Sequence, residues 1–279
     1  MLKLDLFADI AEELNEAAIA IKQSTSLSLL SEPSLLGVLG LAQIEAALID
    51  AGIAYRRQIS EATNTAQKNS IVISSLEETN WDSESNILII GPISVQAKMG
   101  HDNMERTGVL ESTSQAAALG AIIAPEGKRV RNLRGLSCSG QWLRETMDQV
   151  YDPVWTILRN HLRDEGSVRI LPLPEVDNIA EEEMKGLSKH SLERLRKSWP
   201  TMDFELRSSA LSELMMIVAS SSEKSAPRLE ELGWHRVHNG SWPSDLFSML
   251  YNENKNWVDG GGINHSSKTL DSLISKGHF

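Results

Sequence analysis

Cysteine is almost missing from this 279-residue chain, in which Cys138 is the single example. One cysteine excludes an intramolecular disulfide and any zinc site built from several thiolates. Chains so poor in cysteine are typical of reducing compartments, so the sequence predicts a cytoplasmic protein.

Long hydrophobic runs are also missing. No stretch approaches the ~20 apolar residues that are needed to cross a bilayer. The first residues, Met1 to Asp9, mix acids with apolar side chains instead of forming the basic start and apolar run of a secretion signal. The sequence therefore predicts no membrane partner.

Positive charge is in deficit, since 27 lysines and arginines stand against 38 acids and leave a net charge of -11. Such a field repels phosphate backbones, so nucleic-acid binding is expected to be weak and local. One dense basic cluster exists, formed by Lys128, Arg129, Arg131 and Arg134. These side chains either pair with neighbouring acids or contact an anion or nucleic acid, and we favour local pairing.

Hydrophobic periodicity predicts an α/β fold. Apolar residues at three- and four-residue steps predict a helix over 4–23, and a strand over 26–31 is followed by a helix over 35–50 that ends at Gly52. A strand from Ile53 completes a βαβ unit. The remaining predicted strands cover 70–74 and 86–90 and are separated by a polar loop around Trp81. The remaining helices cover 112–124, 141–164, 207–220 and 225–232.

Two lobes are expected. Pro172, Pro174 and the glutamates at 181–183 disfavour regular packing and predict a linker over 171–200. The sequence thus predicts a parallel-sheet lobe over 1–170 and a smaller α/β lobe over 201–279.

Motifs for catalysis are not evident. The seven histidines lie outside metal-ligand spacings, and the segment 135–140 does not match G-x-S-x-G and is expected to be a turn. The three glycines at 260–262 lack the dinucleotide-binding spacing and predict a tight turn. We therefore expect a binding protein more than an enzyme.

The βαβ unit resembles a known family. A strand, then Glu32-Pro33-Ser34, then a helix ending in Ala-Gly-Ile-Ala-Tyr-Arg resembles the start of the DHH phosphoesterases, the RecJ-like family. In this alignment the first motif, D-x-D-G, falls on 31–34, a strand-end aspartate falls near Gly91, and an aspartate-bearing turn falls on 124–127. The DHH signature corresponds to Gly100-His101-Asp102-Asn103.

The C-terminal part carries a second resemblance to this family. Residues 210–233 are similar to the helical entry of the DHH-associated domain, and 260–267 resemble its G-G-G-H-x-x-A-A-G loop. This likeness makes His265, together with the basic cluster, a candidate for nucleic-acid or anion binding.

The resemblance implies a site poor in ligands. Two-metal phosphoesterases need several carboxylates and histidines around ions ~3.5–4 Å apart. Positions 31–34, Gly91 and Pro125 lack the aspartates, which leaves Glu32 and three weak metal candidates, His101, Asp102 and Glu126. We expect no catalytic residues and no cofactor. The leading hypothesis is an inactive, RecJ-like scaffold that binds protein partners in DNA replication, beside GINS and the MCM helicase.

Two alternatives stay open. One is a divergent phosphoesterase or single-strand nuclease, dependent on Mn²⁺ or Mg²⁺, that uses His101, Asp102 and Glu126 and holds the substrate phosphate with His265 or the basic cluster. The other is an unrelated α/β module that binds RNA or an acidic protein through the basic cluster.

Overall fold

A computed structural model describes residues 1–60, 67–76, 78–99, 104–144 and 151–279. The chain divides by contacts into two compact units. The first unit comprises Met1–Leu143, Pro153–Ser167 and Glu253–Phe279, and the second comprises Arg144–Asp152 and Val168–Asn252.

A mostly parallel sheet organises the first unit, which confirms the predicted α/β class. Its strands are β1 Leu27–Ser31, β2 Tyr55–Ile59, β3 Ser70–Ile73, β4 Asn80–Asp82 and β5 Ile87–Ile90. They lie in the order β2-β1-β3-β5-β4, and only β4 runs antiparallel to its neighbour. The strands β1, β3 and β5 are rich in leucine, isoleucine and valine, as expected for strands covered on both faces.

The short edge strand β4 corrects a sequence prediction, because the residues around Trp81 were expected to be a loop. The Asp82 carboxylate accepts hydrogen bonds from the backbone N–H groups of Glu84 and Ser85. Asn86 then adopts a left-handed conformation with φ of 55°. These two features turn the chain back within four residues, so that β4 pairs with β5.

A separate antiparallel pair was not predicted. Strand β6 Ile93–Met99 pairs with β7 Met104–Leu110 along seven residues. Its β7 sequence, Met-Glu-Arg-Thr-Gly-Val-Leu, is exposed along its first half and lacks a clean alternation, so periodicity alone does not reveal it.

Helices cover the sheet of the first unit. They are α1 Ala11–Gln23, α2 Leu35–Ala51, α3 Ser112–Ile123, α4 Lys128–Leu133, α5 Ser139–Leu143 and α6 Pro153–Asp164. The predicted helices over 4–23, 35–50 and 112–124 are confirmed, with residues 5–10 of the first in a 3₁₀ turn. Gly52 ends α2 in the predicted left-handed conformation, with φ of 70°.

Two predictions in the middle of the chain are wrong. The single helix over 141–164 is interrupted, since α5 ends at Leu143, Tyr151 and Asp152 are not helical, and Pro153 opens α6. The expected turn at 135–140 is instead buried and helical, because the Ser114 hydroxyl donates a hydrogen bond to the Ser137 carbonyl and ties this segment to α3.

The second unit contains α7 Lys189–Ser198, α8 Phe204–Ser221 and α9 Ala226–Trp234, and its strands β8 Arg169–Leu171 and β9 Arg236–His238 pair antiparallel. The helices predicted over 207–220 and 225–232 are confirmed as α8 and α9. Helix α10, Leu246–Gly260, begins in this unit, and α11, Ile263–Lys276, belongs to the first. Residues 171–200, expected as a linker, include α7 and group with the second unit, whereas 253–279 group with the first.

Candidate functional site at the carboxyl edge of the parallel sheet

The strand order marks one edge of the sheet as the natural place for a site. The chain passes from β1 to β2 on one side and then to β3 on the other, so the connections diverge between β1 and β3. In open α/β sheets, ligands bind outside the carboxyl ends of the strands at such a switch point. The residues after β1 and β3 are therefore the first candidates.

The loop between β1 and α2 is held by its own side chains. The Ser31 hydroxyl donates to the Glu32 carbonyl at 2.9 Å, and the Ser34 hydroxyl accepts from the Gly37 N–H at 3.1 Å as the N-cap of α2. A Cβ on Gly37 would lie 2.3 Å from Ser31 Oγ and 2.7 Å from the Glu32 carbonyl oxygen. The loop therefore folds closely over the first turn of α2.

Two further strand ends meet this edge. The Ser75 hydroxyl, just after β3, donates to Glu32 Oε2 at 2.8 Å. After β5, the Gly91 carbonyl accepts from the buried Gln115 side chain at 2.6 Å and from the Thr79 hydroxyl at 2.9 Å. The position expected to carry a strand-end aspartate thus anchors the start of α3 through its backbone.

The C-terminal segment packs onto the same loop. The Trp257 indole N–H donates to the Pro33 carbonyl at 3.2 Å. Three residues later α10 ends at Gly260, and Gly261 and Gly262 connect it to α11, with φ of 142° at Gly262, so the predicted tight turn is confirmed. A Cβ on Gly261 would lie 2.5 Å from Trp257 Cδ1, which explains why glycine is needed beside this indole.

His265 lies next to that turn. Its Nε2 lies 2.9 Å from Glu253 Oε1, which also accepts from the Thr269 hydroxyl at 2.8 Å. The imidazole meets the Trp257 ring edge-on, with 4.7 Å between the ring centroids. The carboxylate favours a proton on Nε2, and no bond to Nδ1 occurs within the described residues.

Glu126 lies away from this edge. Gly127 contacts Asp50, in the last turn of α2, and the Glu126 carboxylate is paired with Arg131 at 2.8 Å and is almost fully exposed. Glu32 precedes the first turn of the same helix, whose 17 residues span ~25 Å. Glu32 and Glu126 therefore cannot share a metal centre.

The other two metal candidates, His101 and Asp102, lie outside the described residues, between β6 and β7. Within the part of the chain that is described, no group of three or more histidines, cysteines or acids is placed to hold a metal ion. Glu32 and Glu126, the two candidate carboxylates that the structure describes, thus do not form a two-metal centre together.

The basic cluster pairs with local acids, which confirms the favoured interpretation. Arg129 contacts Asp50 at 3.0 Å, Arg131 contacts Glu126 at 2.8 Å, and Arg134 contacts Glu165 at 3.6 Å. Asp50 also accepts from the backbone N–H groups of Arg129 and Val130, and so caps α4. The fourth member, Lys128, is exposed.

The sequence missed three residues of this edge, Trp257, Glu253 and Ser75. None of the three stands in a recognisable sequence motif. The only sequence signal for the role of Trp257 was its position three residues before a triple glycine. A tight turn after a helix places the last turn of that helix against the next element. The contact of Trp257 with Pro33, 224 residues away, is not visible in the sequence.

No protein-family model matches this chain, and no curated protein matches it. None of the described helices is both long enough and apolar enough to cross a membrane.

Proposed function

We propose that this chain is a catalytically inactive, RecJ-like binding protein that serves as a scaffold subunit in DNA replication, with GINS and the MCM helicase as its partners. One observation carries the proposal. In the phosphoesterases that this chain resembles, the corresponding loop holds metal-binding aspartates. Here each of the four residues of the loop at 31–34 forms a hydrogen bond within the protein.

The chemistry of that loop supports binding more than hydrolysis. Ser31 and Ser34 satisfy local backbone groups, Glu32 is bonded to Ser75, and the Pro33 carbonyl receives the Trp257 N–H. Activation of water by two metals needs several ionised carboxylates free to bind them. Glu32 is the one acid in this loop, and Glu126 lies near the far end of α2.

The hydrolytic part of the proposal is tested with the purified chain and Mn²⁺. Single-stranded DNA and bis(p-nitrophenyl) phosphate are the substrates, and we expect neither to be cleaved above the level of a buffer control. Glu32→Gln and Asp102→Ala are the matched variants. Cleavage by the wild type that either variant abolishes would overturn the proposal.

The scaffold part is tested by binding. Purified GINS and MCM are mixed with the chain and separated by size-exclusion chromatography, and we expect co-elution with at least one of them. If both partners elute apart from the chain at ~10 µM, a concentration at which ordinary specific complexes remain bound, the replication role fails.

A divergent phosphoesterase is the second candidate, and one observation favours it. His265 is aligned by Glu253 against the Trp257 ring, and its Nδ1 would donate an N–H to an anion when both ring nitrogens carry protons. Mn²⁺ or Mg²⁺ would enter only under this candidate, through His101 and Asp102. Retention of inorganic phosphate by the wild type and its loss in His265→Ala would support it.

The basic-cluster module is the third candidate. Its arginines already face Asp50, Glu126 and Glu165, so only part of their charge is available to a partner. Reversal of charge at Arg131 and Arg134 would abolish RNA binding under this candidate. We expect no effect on partner binding from these two changes.

A further inference from the structure

The second unit carries an open groove between α7 and α8. Its apolar lining includes Leu195 from α7 and Leu214 from α8. Each helix also contributes one charged residue, Arg194 from α7 and Glu213 from α8. The groove thus combines a base, an acid and an apolar floor.

Helix α8 also presents apolar side chains to solvent. Leu206, Ala210, Glu213 and Ile217 recur at four- and three-residue steps and so lie on one face of the helix. Leu206 is 56% exposed, Ile217 is 45% exposed, and Met216 beside them is 72% exposed. A face of this kind is typical of a surface that another helix covers.

The two charges of the groove are not used within the chain. Arg194 and Glu213 are both exposed, and neither side chain forms an ion pair or hydrogen bond with another described residue. Covering the groove brings both charges out of water, which is costly unless each meets an opposite charge. An occupant that supplies an acid, a base and apolar side chains together satisfies both charges and the apolar lining.

We propose that the occupant is a second copy of this chain, bound across a two-fold axis with the two α8 helices antiparallel. In such an interface, residue i of one copy meets residue j of the other, and j meets i. One pair of charges, Arg194 and Glu213, then yields two intermolecular ion pairs. The surface complements itself.

The spacing along α8 fits this symmetry. Leu206 and Ile217 are 11 residues apart, ~16 Å along the helix, and their midpoint falls between Leu211 and Ser212. An antiparallel pairing about that midpoint places Leu206 of one copy on Ile217 of the other. It also places Glu213 opposite the small Ala210, where Arg194 of the other copy neutralises it.

The small area that α7 and α8 can bury predicts a weak dimer. The 18 residues of α8 span ~27 Å and the 10 residues of α7 span ~15 Å, so a strip ~10 Å wide on each helix covers roughly 400 Å² per copy. This is below the ~800 Å² per partner of standard stable complexes, so we expect a dissociation constant in the micromolar range. The proposal does not depend on the replication role.

Sedimentation velocity of the full chain from about 5 to about 200 µM at low salt tests the proposal, and we expect a concentration-dependent dimer. R194E and E213R should each weaken the dimer at least ~10-fold, because each places like charges across the axis. Mixing these two variants should restore assembly, since the acid introduced by one substitution and the base introduced by the other then face each other across the axis. The double variant should also dimerise.

Lys197→Glu is the matched control, because it makes the same change of charge as R194E on an exposed residue of α7 outside the groove. We expect it to dimerise like the wild type. A wild type that stays monomeric at ~200 µM overturns the proposal. So does a dimer that ignores the single variants, or variants that fail to associate when mixed.

Discussion

Arg236 is fully buried in the second unit and faces two carboxylates. Its guanidinium contacts Asp245 at 2.9 Å and Glu183 at 3.5 Å, and it also donates to the Leu232 carbonyl. Asp245 receives two further N–H groups at the start of α10, from Phe247 and Ser248. The single positive charge of Arg236 therefore interacts with two buried carboxylates, and it lies closer to Asp245 than to Glu183.

Glu183 is left poorly stabilised as an anion. Burial raises its pKa to about 7, Arg236 opposes that rise, and the Asp245 carboxylate adds to it. Lys224 and Arg228 also lower this pKa, but by less than Arg236. The folded protein thus holds this proton more tightly than the unfolded chain, in which a glutamate titrates near 4.5.

The consequence is a loss of stability as the pH rises. The contribution from protonated Glu183 is complete below about pH 4.5 and is lost as the pH passes through 7, because the folded state then gives up its proton. Glu183→Gln should flatten this dependence and raise the free energy of unfolding at pH 8 by roughly 1 to 3 kcal/mol. Urea unfolding between pH 5 and pH 8 measures both effects.

Glu182→Gln is the neighbouring control for this prediction, because that side chain is exposed. It should leave the slope of stability against pH unchanged. A wild type whose stability rises steadily from pH 5 to pH 8, with Glu183→Gln following the same course, would contradict the raised pKa.

At the scale of elements, α2 links the sheet to the candidate site. It is buried along most of its length and packs on α3, and its first turn lies directly beneath the loop 31–34. Gly37 allows this approach, because a Cβ there would overlap Ser31 Oγ and the Glu32 carbonyl. A glycine within a helix would otherwise be unfavourable by ~1 kcal/mol relative to alanine.

Gly37→Ala should therefore destabilise the protein in spite of the better helix propensity of alanine. We expect the free energy of unfolding to fall by about 1 to 3 kcal/mol, because the added methyl overlaps the Glu32 carbonyl, a backbone group that cannot move freely. Chemical denaturation measures the change. Gly260→Ala, in α10 with no atom within 4 Å of the added methyl, is the control and should be neutral or slightly stabilising. Equal effects of the two substitutions would refute the role of Gly37.

Helix α11 is the element that the sequence assigned to the other lobe. It packs on α2, its Leu270 and Leu273 are fully buried, and its Asp271 pairs with Arg57 on β2 at 2.8 Å. The core of the first unit is therefore completed by residues about 180 positions beyond the last strand of its sheet.

On the scale of the whole molecule, this arrangement makes a prediction about which unit the C-terminus stabilises. Leu273→Ala leaves a cavity in the core of the first unit and should lower the free energy of unfolding of that unit by about 2 to 5 kcal/mol. Hydrogen exchange measured by mass spectrometry should speed up in α2 and β1 and stay unchanged in α8. Ile263→Ala, on the same helix but 51% exposed, is the control. Faster exchange in α8 alone would show that α11 belongs with the second unit.

The division into units was only partly foreseeable from the sequence. The βαβ unit was predicted to within about two residues, the strand expected from Ile53 beginning at Tyr55, since the strand over 27–31, the glycine cap at 52 and the apolar runs of β3 and β5 are local signals. Strand β4, the β6–β7 pair and the grouping of 253–279 with the sheet were not predicted. Their sequences are short, polar or ambiguous, and their partners lie far along the chain.

The candidate site shows the same limit. The triple glycine and His265 drew notice as a motif, and the local pairing of Arg129, Arg131 and Arg134 was expected. That Glu253 orients His265, and that Trp257 bonds to Pro33, depends on how separate helices pack in the folded chain. Separations of 12 and 224 residues carry no periodic signal.

By itself, the sequence determined the α/β class, the parallel core strands and the turn at 260–262, because hydrophobic period and glycine conformation act within a few residues. Only the tertiary structure decided that the C-terminal helix completes the sheet's unit, that Glu32 and Glu126 lie apart, and that the loop 31–34 is bonded throughout. Those outcomes depend on the summed packing of distant side chains, each contributing little, and no single stretch of sequence contains that sum.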